Sequence, residues 1–300
     1  MLKNNGDDKM TKAATLALAL AFMVSGTASA AWNDPQKPFN VSGNTWYVGT
    51  KELSAILITS PQGHVLLDGA VPASAPFIEK NIRELGFKVE DIKLILNSHA
   101  HIDHAGGIAA LQRASGALVA ASAHGAQVLG DGTIGKDDPQ FTAENADHFP
   151  KVAHVKVLSD GEVLTVGPIS VTAHMTPGHT PGSASYSWTS CDGARCLDVV
   201  YADSLTAISL GDYRYLGGKG APDVSKRFQA SIDKIGALKC DVLLTTHPGA
   251  SGMMEKLAAK TPAQNTFIND AACRELASRA NAGLATRLAT ERGEKPAPVN

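Results

Sequence analysis

Three imidazoles and a carboxylate fall within six residues, His99-Ala100-His101-Ile102-Asp103-His104. Imidazole nitrogen and carboxylate oxygen are the donors that borderline metals such as zinc prefer. An apolar run, Leu94-Ile95-Leu96, precedes the cluster and reads as a buried strand. Loops that follow strands are where α/β proteins place reactive groups. On extended chain His99 and His101 project to the same side and can grip one ion, while Asp103 and His104, on the turn beyond, can face a second. Each ion then needs a ligand from elsewhere. Two later histidines have suitable settings: His179 within Thr176-Pro177-Gly178-His179-Thr180-Pro181-Gly182, and His247 within Thr245-Thr246-His247-Pro248-Gly249. Both follow apolar strands and lie in Pro/Gly turns that fix a ring in place. A solvated polar loop is the alternative for the early cluster, and a satisfied loop histidine for either later one.

Short strands are expected over 44–48, 55–60 and 64–67, with Pro61-Gln62-Gly63 as a turn between the last two. Ile78, Ile82 and Leu85 recur at helical spacing after Pro76, and Gly86 is placed to end that helix. The strand over 94–97 delivers the histidine cluster. A short helix beyond Gly106-Gly107 and a strand near 117–121 follow, then a polar, irregular stretch over 130–150, long enough to lie over a site. Strands recur over 155–158, 162–166, 169–174, 186–188 and 198–201. Val224, Phe228, Ile232 and Ile235 mark an amphipathic helix, 242–244 a buried strand, and residues 262 to about 280 a final helix. A repeated half of strands plus helix predicts two sheets packed together with helices outside.

At 300 residues, 44% apolar and 19% charged, the chain can bury a sizeable core. A net charge of −2 gives no electrostatic reason to expect nucleic acid or an anionic membrane as partner. Lys9 and Lys12 precede a nearly continuous apolar run over 13–24, and Ala28-Ser29-Ala30 offers small residues for cleavage. Residues 1–30 are therefore expected to be a signal peptide, and residues 31–300 a single exported domain that is soluble once the signal is removed. The run is shorter than the roughly 20 apolar residues a membrane span requires. Export makes disulfides the expected state of the four cysteines. Cys191 and Cys196 flank the turn pair Asp192-Gly193 and would staple a hairpin. Cys240 and Cys273 would then tie a late strand to the C-terminal helix. Zinc ligation by these thiols is the alternative, without a Cys-x-x-Cys spacing to favour it.

His99-x-His101-x-Asp103-His104, Leu67-Asp68-Gly69, Gly178-His179-Thr180 and His247 resemble the signature set of the metallo-β-lactamase superfamily. Tyr201-Ala202-Asp203-Ser204-Leu205-Thr206 and Thr246-His247-Pro248-Gly249 are similar, more narrowly, to the third subclass of class B β-lactamases. The likeness runs from about Trp32 to the last helix. The first two subclasses carry Arg where His104 stands, a metal-binding Cys at Ser204, and Lys at Ala207, so the departures point the same way; the Cys240/Cys273 pair fits too. The resemblance implies an α/β fold, an αββα four-layer sandwich of two mixed sheets packed face to face. It implies two Zn2+ per chain, one held by His99, His101 and His179, the other by Asp103, His104 and His247. It further implies an exported, periplasmic enzyme that opens the β-lactam amide by attack of a metal-bound hydroxide, with Asp103 orienting that nucleophile, and so confers antibiotic resistance. Three imidazoles leave a fourth zinc position open for water, as a catalytic zinc needs. Ser204 and Thr206 resemble the family's donors to the substrate carboxylate.

Asp68 is expected to set ligand orientation by hydrogen bonding near the metal loop, and Trp32 to pack or to line the cleft. His64, His124, His148, His154 and His174 receive no role. A monomer is expected, with β-lactams as the small-molecule partner. The alternative function is another hydrolase on the same fold, a lactonase or thiolester hydrolase, favoured if Asp203 bridges the metals; a non-catalytic zinc binder is the third reading.

Overall fold

The computed structural model describes residues 32–295 except residues 145 and 219. The expected leader, with Ala28-Ser29-Ala30, lies outside the described residues. One sheet runs in the order β1 (Phe39–Ser42), β2 (Thr45–Tyr47), β3 (Ile56–Ile58), β4 (His64–Leu67), β5 (Ile92–Leu96), β6 (Leu118–Ser122) and β7 (Val155–Leu158). Its first four strands pair antiparallel and β4 to β7 pair parallel. A second sheet joins β8 (Val163–Val166), β9 (Ile169–Met175), β10 (Ala184–Asp192) and β11 (Arg195–Ala202) antiparallel, with β12 (Val242–Thr245) parallel to β11. Both sheets are mixed, as expected.

Side-chain alternation along these strands builds the layers. Ile56, Ile58, Val65, Leu67, Leu94 and Leu96 of the first sheet pack with Val199, Tyr201, Val242 and Leu244 of the second. The residues between them face the other way. Leu57, Leu66 and Ile95 meet helices α1 (Ala75–Glu84), α3 (Ile108–Ser115) and α4 (Ala123–Asp131). Val200, Ala202 and Leu243 meet α5 (Ser225–Ala237) and α7 (Ala272–Arg292). Two further helices are short, α2 (Ile102–Ala105) and α6 (Met253–Ala259). Strands buried on both faces read as continuous apolar runs, which is why Leu94-Ile95-Leu96 was visible in the sequence. Each such side chain contributes about 1.5 to 3 kcal/mol when taken from water.

The last helix is displaced from its expected start. It spans Ala272–Arg292 rather than residues 262 to about 280. Phe267 is fully buried in the layer between the sheets, stacked on Phe39, and Ile268 bridges to Val242 at the edge of β12. These apolar residues serve the sheet, and Asn269 Oδ1 then accepts from the Ala271 amide just before the helix starts. Three helices went unread, α2 having been expected as a turn. α4 begins at Ser122, whose Oγ accepts from the Gly125 amide, but its glycines weaken the apolar pattern. α6 is only seven residues long. Among the described residues no helix is long and apolar enough to cross a membrane.

Both disulfides form, Cys191–Cys196 across the β10–β11 hairpin and Cys240–Cys273 from just before β12 to the first turn of α7. Their sequence separations of 5 and 33 residues give unequal loop-closure terms. Replacing Cys240 and Cys273 together by Ala is expected to cost about 3 to 4 kcal/mol, against about 2 for the hairpin pair. Urea denaturation of the two double variants checks the order; equal losses would contradict it.

Candidate metal centre

The six expected ligands all sit where strands end. After Leu96 the chain bends at Ser98, and His101, extended with φ −86° and ψ 156°, caps α2. His99 and His101 come together with ring centroids 4.7 Å apart. Asp103 and His104 lie on α2. His179 occupies the turn between β9 and β10, pinned by the Ser231 hydroxyl donating to the Pro177 carbonyl at 2.8 Å. Gly178 is required there, because a Cβ would stand 2.0 Å from the Phe228 ring. His247 follows β12, where the Thr245 hydroxyl donates to its carbonyl at 2.7 Å.

The rings converge. His179 lies 4.8 Å from His99 and 5.2 Å from His101, centroid to centroid. His104 lies 4.4 Å from His99 and 4.8 Å from His247. Two buried groups have ligand atoms close enough to hold an ion, His99-His101-His179 and His99-Asp103-His104. His247 joins the second, its Nε2 being 3.3 Å from Asp103 Oδ2 and 3.2 Å from His104 Nε2. His99 Nε2 is buried with no hydrogen-bond partner. Such an orphan is costly unless something accepts its lone pair. With three imidazoles around it, the donor set fits a borderline metal of zinc's kind.

The opposite faces of the rings are also held. Asp203 Oδ1 is 2.6 Å from His99 Nδ1, so Nδ1–H donates to it and Nε2 is the nitrogen left for a metal. Asp203 is not a member of either ligand group. His101 Nε2 meets both Asp138 oxygens at 3.1 Å. His179 Nδ1 meets the Thr206 hydroxyl at 3.0 Å and the Thr206 carbonyl at 3.1 Å. Carboxylate and carbonyl partners of this sort fix the tautomer and orientation of metal-binding histidines. Asp68 acts one step further back. Its Oδ1 accepts from the Ser98 amide at 2.8 Å and from Asn97 Nδ2 at 3.0 Å, its Oδ2 from the Ser98 hydroxyl at 2.6 Å and the Tyr201 hydroxyl at 2.7 Å.

Asp138, Gln140 and Asp147 come from the irregular stretch over 130–150 and were not singled out in the sequence. Gln140 Nε2 is 3.2 Å from His179 Nε2, and the Ile102 amide donates to Asp147 Oδ2 at 3.4 Å. No periodicity marks such residues. Asp137-Asp138 beside Pro139 was the available signal, and an acidic turn on the surface reads the same way.

Charge in the site divides the rings. Burial, with His99 and His101 close by, pushes His179 down to about 3, and burial with His104 and His101 nearby holds His99 well below its ordinary value. Both are therefore neutral at pH 7, as ligation demands. Burial also works against a charged His104, but the adjacent Asp103 carboxylate wins and raises it to about 9, so a metal held there must displace its proton. Burial alone would raise Asp103; the His104 and His247 rings overcome it and hold the carboxyl well below its usual range.

A cavity of about 900 Å³ opens over these groups, lined in part by Trp32, His101, Asp103, His179 and His247. Ser204 and Thr206 also line it. The Ser204 hydroxyl pairs with that of Thr246 at 3.0 Å. Trp32 both lines the cavity and packs against the core under the first sheet. The five unassigned histidines stay outside the ligand groups. His64 meets Phe87, His124 meets Asp137 and His174 meets Ser187.

Residues 50–247 match the family model of the metallo-β-lactamase superfamily. Among solved structures, the chain is similar to Rm3 metallo-β-lactamase at 48% identity, covering 88% of this chain and 98% of that one, with a TM-score of 0.85. It is similar to MEM-A1, a subclass B3 metallo-β-lactamase from a soil metagenome library, at 47% identity, covering 88% of this chain and 100% of that one, TM-score 0.84. A hydroxyacylglutathione hydrolase of Anaeromyxobacter dehalogenans is 30% identical over 155 residues, 52% of this chain and 46% of that protein. The chain spans about half the length of the curated relatives it matches.

Proposed function

The chain belongs to the metallo-β-lactamase superfamily, and from that premise we propose that it is an exported, periplasmic zinc β-lactamase. The observation that carries the reading is the meeting of His99, His101, Asp103, His104, His179 and His247, from three separate parts of the chain, beneath one cavity. His99, His101 and His179 would hold one Zn2+, and Asp103, His104 and His247 another. Zinc held there supplies Lewis acidity and brings the pKa of a coordinated water towards about 7. The rest falls to the protein. Asp203, Asp138 and Thr206 keep the three imidazoles aimed. Asp103 uses Oδ2 towards His104 and His247, which leaves Oδ1 to orient the attacking water and to take its proton. Ser204 and Thr206 hydroxyls would receive the substrate carboxylate. Likeness to Rm3 and MEM-A1 over nearly their whole lengths supports the β-lactam as substrate, and His104, Ser204 and Ala207 fit the third subclass.

Two disulfides are compatible with an oxidising compartment. A signal over residues 1–30, a single domain over 31–300 and resistance to β-lactams in the host complete the reading. The rival, a thiolester or lactone hydrolase, draws on the hydroxyacylglutathione hydrolase likeness. Against it, Asp203 belongs to neither ligand group, and its Oδ1 accepts from His99 Nδ1.

Purified protein should open penicillin, cephalosporin and carbapenem rings, and a chelator should stop it; no chelator-sensitive opening of any of them would reject the reading. His247→Ala should lower zinc content from about two per chain to about one. Its imidazole is 39% exposed at the cavity mouth, so the fold should tolerate its loss. Unchanged metal content by elemental analysis would remove His247 from the site.

A further inference from the structure

The cavity wall formed by α7 carries an arginine that the ligand set does not use. Leu276, Arg279, Ala280 and Gly283 recur at three- and four-residue spacing, so one helical face lines the cavity. Arg279 is the only Lys or Arg among the residues lining it. Its Nη2 donates to the Ala250 carbonyl at 3.2 Å, in the turn directly after His247. Among the described residues its guanidinium forms no ion pair; Glu275, one turn earlier and lining a smaller neighbouring cavity with it, accepts from Asn269 Nδ2. An anchored, unpaired guanidinium on a cavity wall is an anion receptor in waiting.

The other groups available to an anion are weaker. Thr206 Oγ1 is engaged by His179 Nδ1 and Ser204 Oγ by Thr246, and each hydroxyl has a single O–H to donate. Neither brings charge. Asp147 on the lining opposes an incoming carboxylate.

We propose that Arg279 is the charged anchor for the substrate carboxylate, acting with Ser204 and Thr206 on the same cavity. The role rests on the β-lactamase reading above. Arg279 makes its contact in ground state and transition state alike, so its loss changes substrate binding rather than turnover. The substrates it favours are those with a free carboxylate beside the ring nitrogen.

Steady-state kinetics of the zinc-loaded protein test this, with a chromogenic cephalosporin and its methyl ester as paired substrates. Arg279→Ala should raise KM for the free acid about tenfold and leave kcat within about twofold. Arg279→Lys should recover part of the loss. The ester should show nearly the same KM in wild type and Arg279→Ala. Raising ionic strength from about 0.05 M to about 0.5 M should raise KM for the free acid in wild type but not in Arg279→Ala. Equal free-acid KM values in wild type and Arg279→Ala, with melting temperatures matched, would overturn the anchor and leave the β-lactamase reading standing. A wild-type protein that opens neither substrate would remove both.

Discussion

An Asp103→Asn variant is expected to fold as the parent does and to lose about 10²- to 10⁴-fold in kcat. Asp103 occupies the one position where a buried carboxylate meets both the His104 and His247 rings, at 3.2 Å and 3.3 Å. Those rings hold it ionised even though burial opposes the charge. An amide of the same shape keeps an oxygen near the two histidines, so the packing survives. What it loses is the negative charge, the ability to take a proton and part of the hold on the second Zn2+, the roles proposed for Asp103, so zinc content is measured beside turnover. A circular dichroism spectrum and melting curve like the parent's, with turnover down by the expected factor, is the supporting result. Turnover within about threefold of the parent would show that the proton goes elsewhere.

Asp68→Ala should be the most damaging single change to stability, at about 3 to 5 kcal/mol. The carboxylate is fully buried and accepts from Ser98 twice, from Asn97 and from Tyr201. Truncation strands four donors. Two of those donors belong to Ser98, next to His99, so the damage should reach the metal ligands and weaken zinc affinity by about 10- to 100-fold. Asp68→Asn, which keeps shape but offers one acceptor oxygen, should fall between. Denaturant unfolding and zinc titration on the three proteins check this; an Asp68→Ala protein as stable as the parent would leave Asp68 an ordinary turn residue. Its φ of +61°, in the left-handed region, already sets it apart from one.

What the sequence revealed depended on the range over which each signal acts. His99, His101, Asp103 and His104 stand together in the chain, and extended geometry after a buried strand was enough to foresee a shared face. His179 and His247 could be placed because Pro/Gly turns after apolar strands have few other uses. Most strands were legible within a few residues, since burial on both faces leaves continuous apolar runs. Asp138, Gln140 and Asp203 were harder. Their roles arise from partners 37, 39 and 104 residues away in sequence. Nothing local distinguishes an aspartate that aims a histidine from one that faces solvent. The start of the last helix was misjudged for a related reason: Phe267 and Ile268 satisfy a helical pattern, yet the core between the sheets and the edge of β12 claim them.

The most direct test is anomalous X-ray scattering at the zinc edge from crystals of the zinc-loaded protein. Two peaks are expected, one bounded by His99, His101 and His179, the other by Asp103, His104 and His247. Peaks absent from this cluster, or a cluster from which His179 or His247 stands apart, would contradict the shared site on which the proposed chemistry depends.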